Sequence, residues 1–246
     1  MRKVPFLNDQ YYHIYNRGVD KRNIFANYKD IERFMESVVA FNDVVPVESL
    51  VRKREKEQQT EQSRRCLTPT GRQSLVEIIA FALNPNHFHF LLKQVSDGGI
   101  SEFMKRLSGG YTNFFNTKYN RSGSLFQGKF KDAHIKSDSQ LRYMSVYLNL
   151  NDRVHQKTEI LGRETPKGLM KSSWEEYLRA KIVKGKIGDT NQVQNGPYDI
   201  CEKSMILSHF DTIVEYKKFA EDTLKSIREE RYLQDARSNL QKFFLE

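Results

Sequence analysis

At 246 residues the chain has room for one large domain, or for a domain with an appendage. Its 38% hydrophobic and 29% charged residues argue against a disordered or fibrous class, and no apolar run approaches the roughly 20 residues of a membrane span. The formal charge of +9 favours a polyanionic partner, nucleic acid ahead of a membrane surface.

In chain order, the opening MRKVPFLNDQYYHIYNRG lacks the apolar stretch of a signal peptide. QYYHIYNR (10–17) is rich in Tyr and Ile and stops at Gly18, as a strand does. YKDIERFMESVVAFN (28–42) spaces Ile31, Phe34, Met35, Val38 and Val39 as one helical face. A charged insertion near 43–74 has no apolar periodicity from residue 52 onward and reads as a solvated loop. LVEIIAFAL (75–83) and HFHFLLKQV (87–95) flank the turn signal Asn84-Pro85-Asn86, which predicts a central hairpin.

ISEFMKRLSGGYTNFFNTKYN (100–120) has a helical face with Gly109-Gly110 at its middle, where it could come close to a neighbour. GSLFQGKFKDAHI (123–135) reads as another strand. SDSQLRYMSVYLNLN (137–151) reads as a helix with Ser137 or Ser139 at its N-cap. The order β-α-β-β-α-β-α predicts an α+β fold, an antiparallel sheet with helices packed on one face. Residues 1–180 are expected to form the main domain, and 181–246 a linker with a charged helical extension. Cys66 and Cys201 stand in no paired or metal-spaced motif, so a reducing cytoplasm is expected.

His87 and His89 carry the chemistry. Side chains two apart on a strand share a face, so both imidazoles can reach one cation while Phe88 and Phe90 enter the core. For an isolated His-x-His pair the plainer reading is two hydrogen-bonded polar residues. The following helix supplies further groups: Tyr147 and Asn151, four apart, share a helical face, with Tyr143 a turn earlier. Asn151 offers a carbonyl oxygen to a metal and Tyr147 a phenol beside it. His13 could approach the site from the first strand, but the plainer reading for it and for His134 is a satisfied core histidine; Trp174 reads as cover for the core edge, and Gln127 as a packing or DNA contact.

LNPNHFHFLLK resembles the His-hydrophobe-His strand of the HUH single-tyrosine transposases. YLNLN resembles the nucleophile helix of their REP-associated tyrosine transposase branch. YYHIYNRG, GSLFQGKFK and SSWEEYL (172–178) fit the same order and spacing over roughly residues 10–180. Two departures stand out: Asn151-Asp152 where that branch has Asn-Pro, and the insertion near 43–74.

The resemblance implies a ferredoxin-like HUH nuclease fold and a divalent metal, Mg²⁺ or Mn²⁺, on His87, His89 and Asn151. It implies Tyr147 as the nucleophile that forms a 5′-phosphotyrosine, and single-stranded DNA with REP-like hairpins as substrate. A covalent intermediate conserves the phosphodiester bond energy and suits a strand-transferase. The DNA-contact candidates are Arg17, Lys105, Arg106, Lys118, Arg121, Lys129 and Lys131, expected to cluster around the site. A monomer is expected over a dimer, in the cytoplasm and associated with the nucleoid. Two alternatives stay open: a hairpin-binding protein without catalysis, and a metal-dependent phosphodiesterase that uses water.

Overall fold

The computed structural model describes residues 5–45, 73–154, 169–180, 182–183, 186–187 and 199–243. Most of the insertion near 43–74, and Cys66 within it, lie outside the described residues. β1 is Tyr11–Arg17, α1 Tyr28–Phe41, β2 Val76–Asn84, β3 His87–Gln94, α2 Gly99–Lys118 and β4 Lys131–Ile135. These pair as an antiparallel sheet in the order β4-β1-β3-β2, the ferredoxin-like βαββαβ arrangement, and β5 (Lys171–Ser172) adds a fifth strand beside β2.

Local chemistry explains the boundaries. Asn27 and Asp30 form a reciprocal capping box at the start of α1. β2 and β3 are joined by only Pro85 and Asn86, so Asn84 is the last residue of a strand rather than part of the turn, paired across from His87. The expected strand over 123–135 shortens to its last five residues. Gly123 and Gly128 hold positive φ angles of 82° and 69° and turn the chain ahead of it.

One sheet face carries Phe88 and Phe90. Phe34 of α1 packs on both at 5.5 and 6.2 Å between ring centroids, and Phe103 of α2 packs on Phe90 at 6.2 Å. Burying such rings supplies about 2–3 kcal/mol each, so this aromatic layer is a main source of stability. Gly110 permits the close approach of the two helices: a Cβ there would stand 2.6 Å from the Phe41 ring.

The other face is covered as well, which corrects the expectation of helices on one side. α3 (Asp138–Asn149), capped by Ser137, lies over β2 and β3. The predicted helix through Asn151 is interrupted at Leu150, whose φ of −108° and ψ of 25° leave the α region, and a short α4 (Asn151–Val154) follows. α5 (Trp174–Leu178), a small hairpin of β6 (Ile182–Val183) and β7 (Lys186–Ile187), α6 (Ser204–Leu207) and α7 (Ile213–Phe243) complete the chain.

α7 is charged along much of its surface yet buries Tyr216, Ala220, Leu224 and Ile227. Among the described residues no helix is long and apolar enough to cross a membrane.

Candidate active site

Strand alternation assembles the site on the face opposite the aromatic layer. From β3 come His87 and His89, whose rings lie 5.0 Å apart and perpendicular. The register sets Tyr15 and Arg17 of β1 across from His89 and His87, and Ala82 and Asn84 of β2 on their other side. α3 then lays Tyr147 over the strands, its ring edge-on to His89 at 6.3 Å. Asn151, 1% exposed, reaches the same place from the start of α4. Tyr143, a turn earlier, hydrogen-bonds Glu230 of α7 instead.

Each imidazole is held by a neighbour. The Nδ1 of His87 lies 2.6 Å from Asn86 Oδ1, which can only accept, so the proton sits on Nδ1 and the Nε2 lone pair is directed inward. That lone pair accepts from Asn84 Nδ2 at 3.1 Å, and the same Nδ2 donates to Asn151 Oδ1 at 2.8 Å. His89 pairs through Nδ1 with His13 Nε2 at 2.9 Å, and His13 stacks on Tyr15 at 5.0 Å. Burial, reinforced by the Arg17 charge, lowers the pKa of His87 to about 4, and burial alone does the same to His13. Both rings are therefore neutral near pH 7, the form that ligates metals.

Among the described residues no group of three or more His, Cys, Asp and Glu side chains could hold a metal ion. Asn151 can offer an amide oxygen as a further ligand. The donor set fits such an ion: His87 Nε2 and Asn151 Oδ1 already converge on a single point, where the positive end of the Asn84 amide sits. Nε2 is the nitrogen through which His89 could join them. Beside this point a cleft of about 570 Å³ opens toward β5, with Asn84 and Asn151 in its wall alongside Arg153, Lys171 and Arg179.

The basic candidates divide. Arg17, bonded to Gln127, projects beside His87, and Lys131 lies opposite Tyr15 on the same face. Lys129 is exposed in the segment just before β4.

Lys105, Arg106, Lys118 and Arg121 belong with α2, on the far side of the sheet, so the expected cluster of seven around the site does not form. Lys105 and Arg106 pair with Glu102, and Arg106 also reaches the Asp43 carbonyl. Lys118 pairs with the buried Asp30 at 2.5 Å, and Arg121 bonds Asn116. His134 is satisfied by Gln10, and Trp174 is buried against Tyr216, both as expected.

Local sequence pattern misses two partners, Asn84 and Asn86, while His13, which the sequence allowed to approach the site, does so by pairing with His89. The alternation His13-Ile14-Tyr15 was the signal for His13.

No curated protein sequence matches the chain. The solved structures remotely similar to it include two that illustrate the likeness. One is a REP-associated tyrosine transposase bound to a REP hairpin, at 11% identity and TM-score 0.39, covering 72% of this chain and 84% of that one. The other is a proposed transposase of Deinococcus radiodurans R1, at 12% identity and TM-score 0.31, covering 65% and 97%. Residues 45–151, the stretch that bears His87, His89, Tyr147 and Asn151, match the IS200-like transposases. Over that segment, less than half of its length, the chain is similar to the IS200-like transposases.

Proposed function

We propose that this protein is a DNA transposase that cuts and rejoins single-stranded hairpin DNA of the REP type through a covalent bond to Tyr147, with a divalent cation held by His87, His89 and Asn151. The observation that carries the reading is the placement of the Tyr147 ring edge-on to His89, next to the point where His87 Nε2 and Asn151 Oδ1 converge. The hairpin substrate and the REP-associated branch rest on the sequence resemblance alone.

Bound there, Mg²⁺ or Mn²⁺ would polarise a phosphate oxygen and offset charge gathering at phosphorus. The protein's part is to orient the groups. Tyr147 attacks phosphorus through its phenolic oxygen and gives up its proton. The bond from phosphorus to the 3′ oxygen breaks, leaving a free 3′-hydroxyl and a 5′-phosphotyrosine. Attack by a 3′-hydroxyl on that phosphotyrosine reverses the step and releases the phenol, so rejoining needs no nucleotide cofactor. Arg17 and Lys131, on the same face, are placed to neutralise flanking phosphates. We infer action as a monomer in a reducing cytoplasm, consistent with the free thiol of Cys201.

The test is incubation with Mn²⁺ and labelled single-stranded hairpins, followed by a search for a protein–DNA adduct that survives denaturation. The adduct is expected with the parent protein and absent from Tyr147→Phe and His87→Ala. Cutting that persists in Tyr147→Phe without an adduct would instead identify a hydrolase that uses water. Binding without cutting would identify a hairpin-recognition protein.

A further inference from the structure

We propose that Asn84 is a positioning residue of this site: its amide aligns His87 Nε2 and Asn151 Oδ1 on one point before any cation arrives. The inference rests on the metal reading proposed above. An amide nitrogen carries two hydrogens, and here each goes to one of the two acceptors, at 3.1 and 2.8 Å. Both acceptors thus face a centre of partial positive charge, the sign that a cation would present. Asn84 is only 4% exposed and Asn151 1%, so little water competes for these bonds.

The orientation of Asn151 is the informative part. With Oδ1 turned toward Asn84, its Nδ2 is buried and has no hydrogen-bond partner. A buried donor without a partner is disfavoured, so nothing in the surroundings of Nδ2 selects this orientation. The hydrogen bond from Asn84 to Oδ1 does select it, and keeps the oxygen, rather than the nitrogen, facing His87. On the histidine, Asn86 fixes the proton on Nδ1 while Asn84 receives the Nε2 lone pair. The two asparagines flanking Pro85 therefore set the ring's tautomer and direction between them, and a single hairpin turn prepares the ligand.

The test is a Mn²⁺ titration of the full chain followed by electron paramagnetic resonance, with ¹⁵N shifts of the His87 imidazole recorded without metal. Parent protein, Asn84→Ala, Asn84→Leu and His87→Ala are compared, and Asn84→Leu keeps the side-chain volume should Asn84→Ala fail to fold. Mn²⁺ affinity is expected to fall about tenfold in both Asn84 variants, as loss of groups that orient a ligand generally causes. The His87 Nε2 resonance is expected to shift as it loses its donor. A residue that only supported packing would change the melting temperature and leave both readouts alone.

Parent-like Mn²⁺ affinity in the Asn84 variants, with binding lost in His87→Ala, would overturn the role of Asn84 while leaving the metal site standing. Absence of Mn²⁺ binding by the parent protein would overturn both.

Discussion

Burial sets the protonation of the histidines at the heart of this site. His13 and His87, ordinarily near 6.5, are both brought down to about 4. The folded protein thus prefers them neutral, and the unfolded chain binds their protons more readily. Their contribution to stability is complete above about pH 6.5 and is lost as pH falls toward 4. The melting temperature of the metal-free protein is expected to drop through that window. His13→Phe, with one ring fewer to protonate, should show a shallower fall; equal slopes would mean that His13 is not held neutral.

At this scale the sequence was readable where period alone decides. His87 and His89 share a face because strands alternate, whereas helical spacing left both Tyr143 and Tyr147 open and the family resemblance implied Tyr147. Asn84 was hidden because Asn-Pro-Asn looks like a turn. Only the cross-strand register reveals that its side chain meets His87.

Among the elements, α3 is the one whose position matters most, since it carries Tyr147. It is held from three directions through Asn149, which is fully buried. The Asn149 Nδ2 donates to the Tyr216 hydroxyl of α7 at 2.8 Å, its Oδ1 accepts from Ser173 just before α5, and its carbonyl accepts from Ser172 of β5 at 2.8 Å. Removing the Tyr216 hydroxyl leaves a buried amide without an acceptor, a cost of about 1–3 kcal/mol. Tyr216→Phe should lower the unfolding free energy by that amount in denaturant titration.

The last helix was recognisable as helical, but its apolar residues are too sparse along a charged surface for the buried stripe to be read from pattern. The break at Leu150 left no local signal either, as Leu is an ordinary helix former. Gly123 and Gly128, by contrast, were visible as residues that could end the expected strand early.

For the whole molecule the question is where the formal charge of +9 is directed. Composition announced a polyanionic partner but not a face. The alternating order of strands and helices predicted the sheet, and nothing in that order showed which basic residues the sheet would set on opposite faces. Lys105 is exposed but paired with Glu102 on the far side of the sheet, whereas Lys131 lies beside the site.

Charge reversal at Lys131 should therefore weaken single-stranded DNA binding and make its salt dependence shallower, by about 0.7 in slope for each phosphate that is no longer neutralised. The same reversal at Lys105 should leave both nearly unchanged. Fluorescence anisotropy across a salt series decides between them, and equal effects would mean that DNA wraps both faces.

The borders of the sheet bear on solubility. β2 is apolar almost throughout, and a bare edge on such a strand would invite another chain to pair with it. That edge is closed piecemeal by sequence-distant segments. Ser172 and Lys171 pair with Ala82 and Leu83, Ser173 donates to the Phe81 carbonyl, and Cys201 bridges to Ile78. The opposite edge strand, β4, needs less cover because it opens with Lys131 and Asp132 and is short. The segments after α4 thus act as a selvedge for the sheet, and a version of the protein trimmed to its histidines and tyrosine would gain an adhesive border.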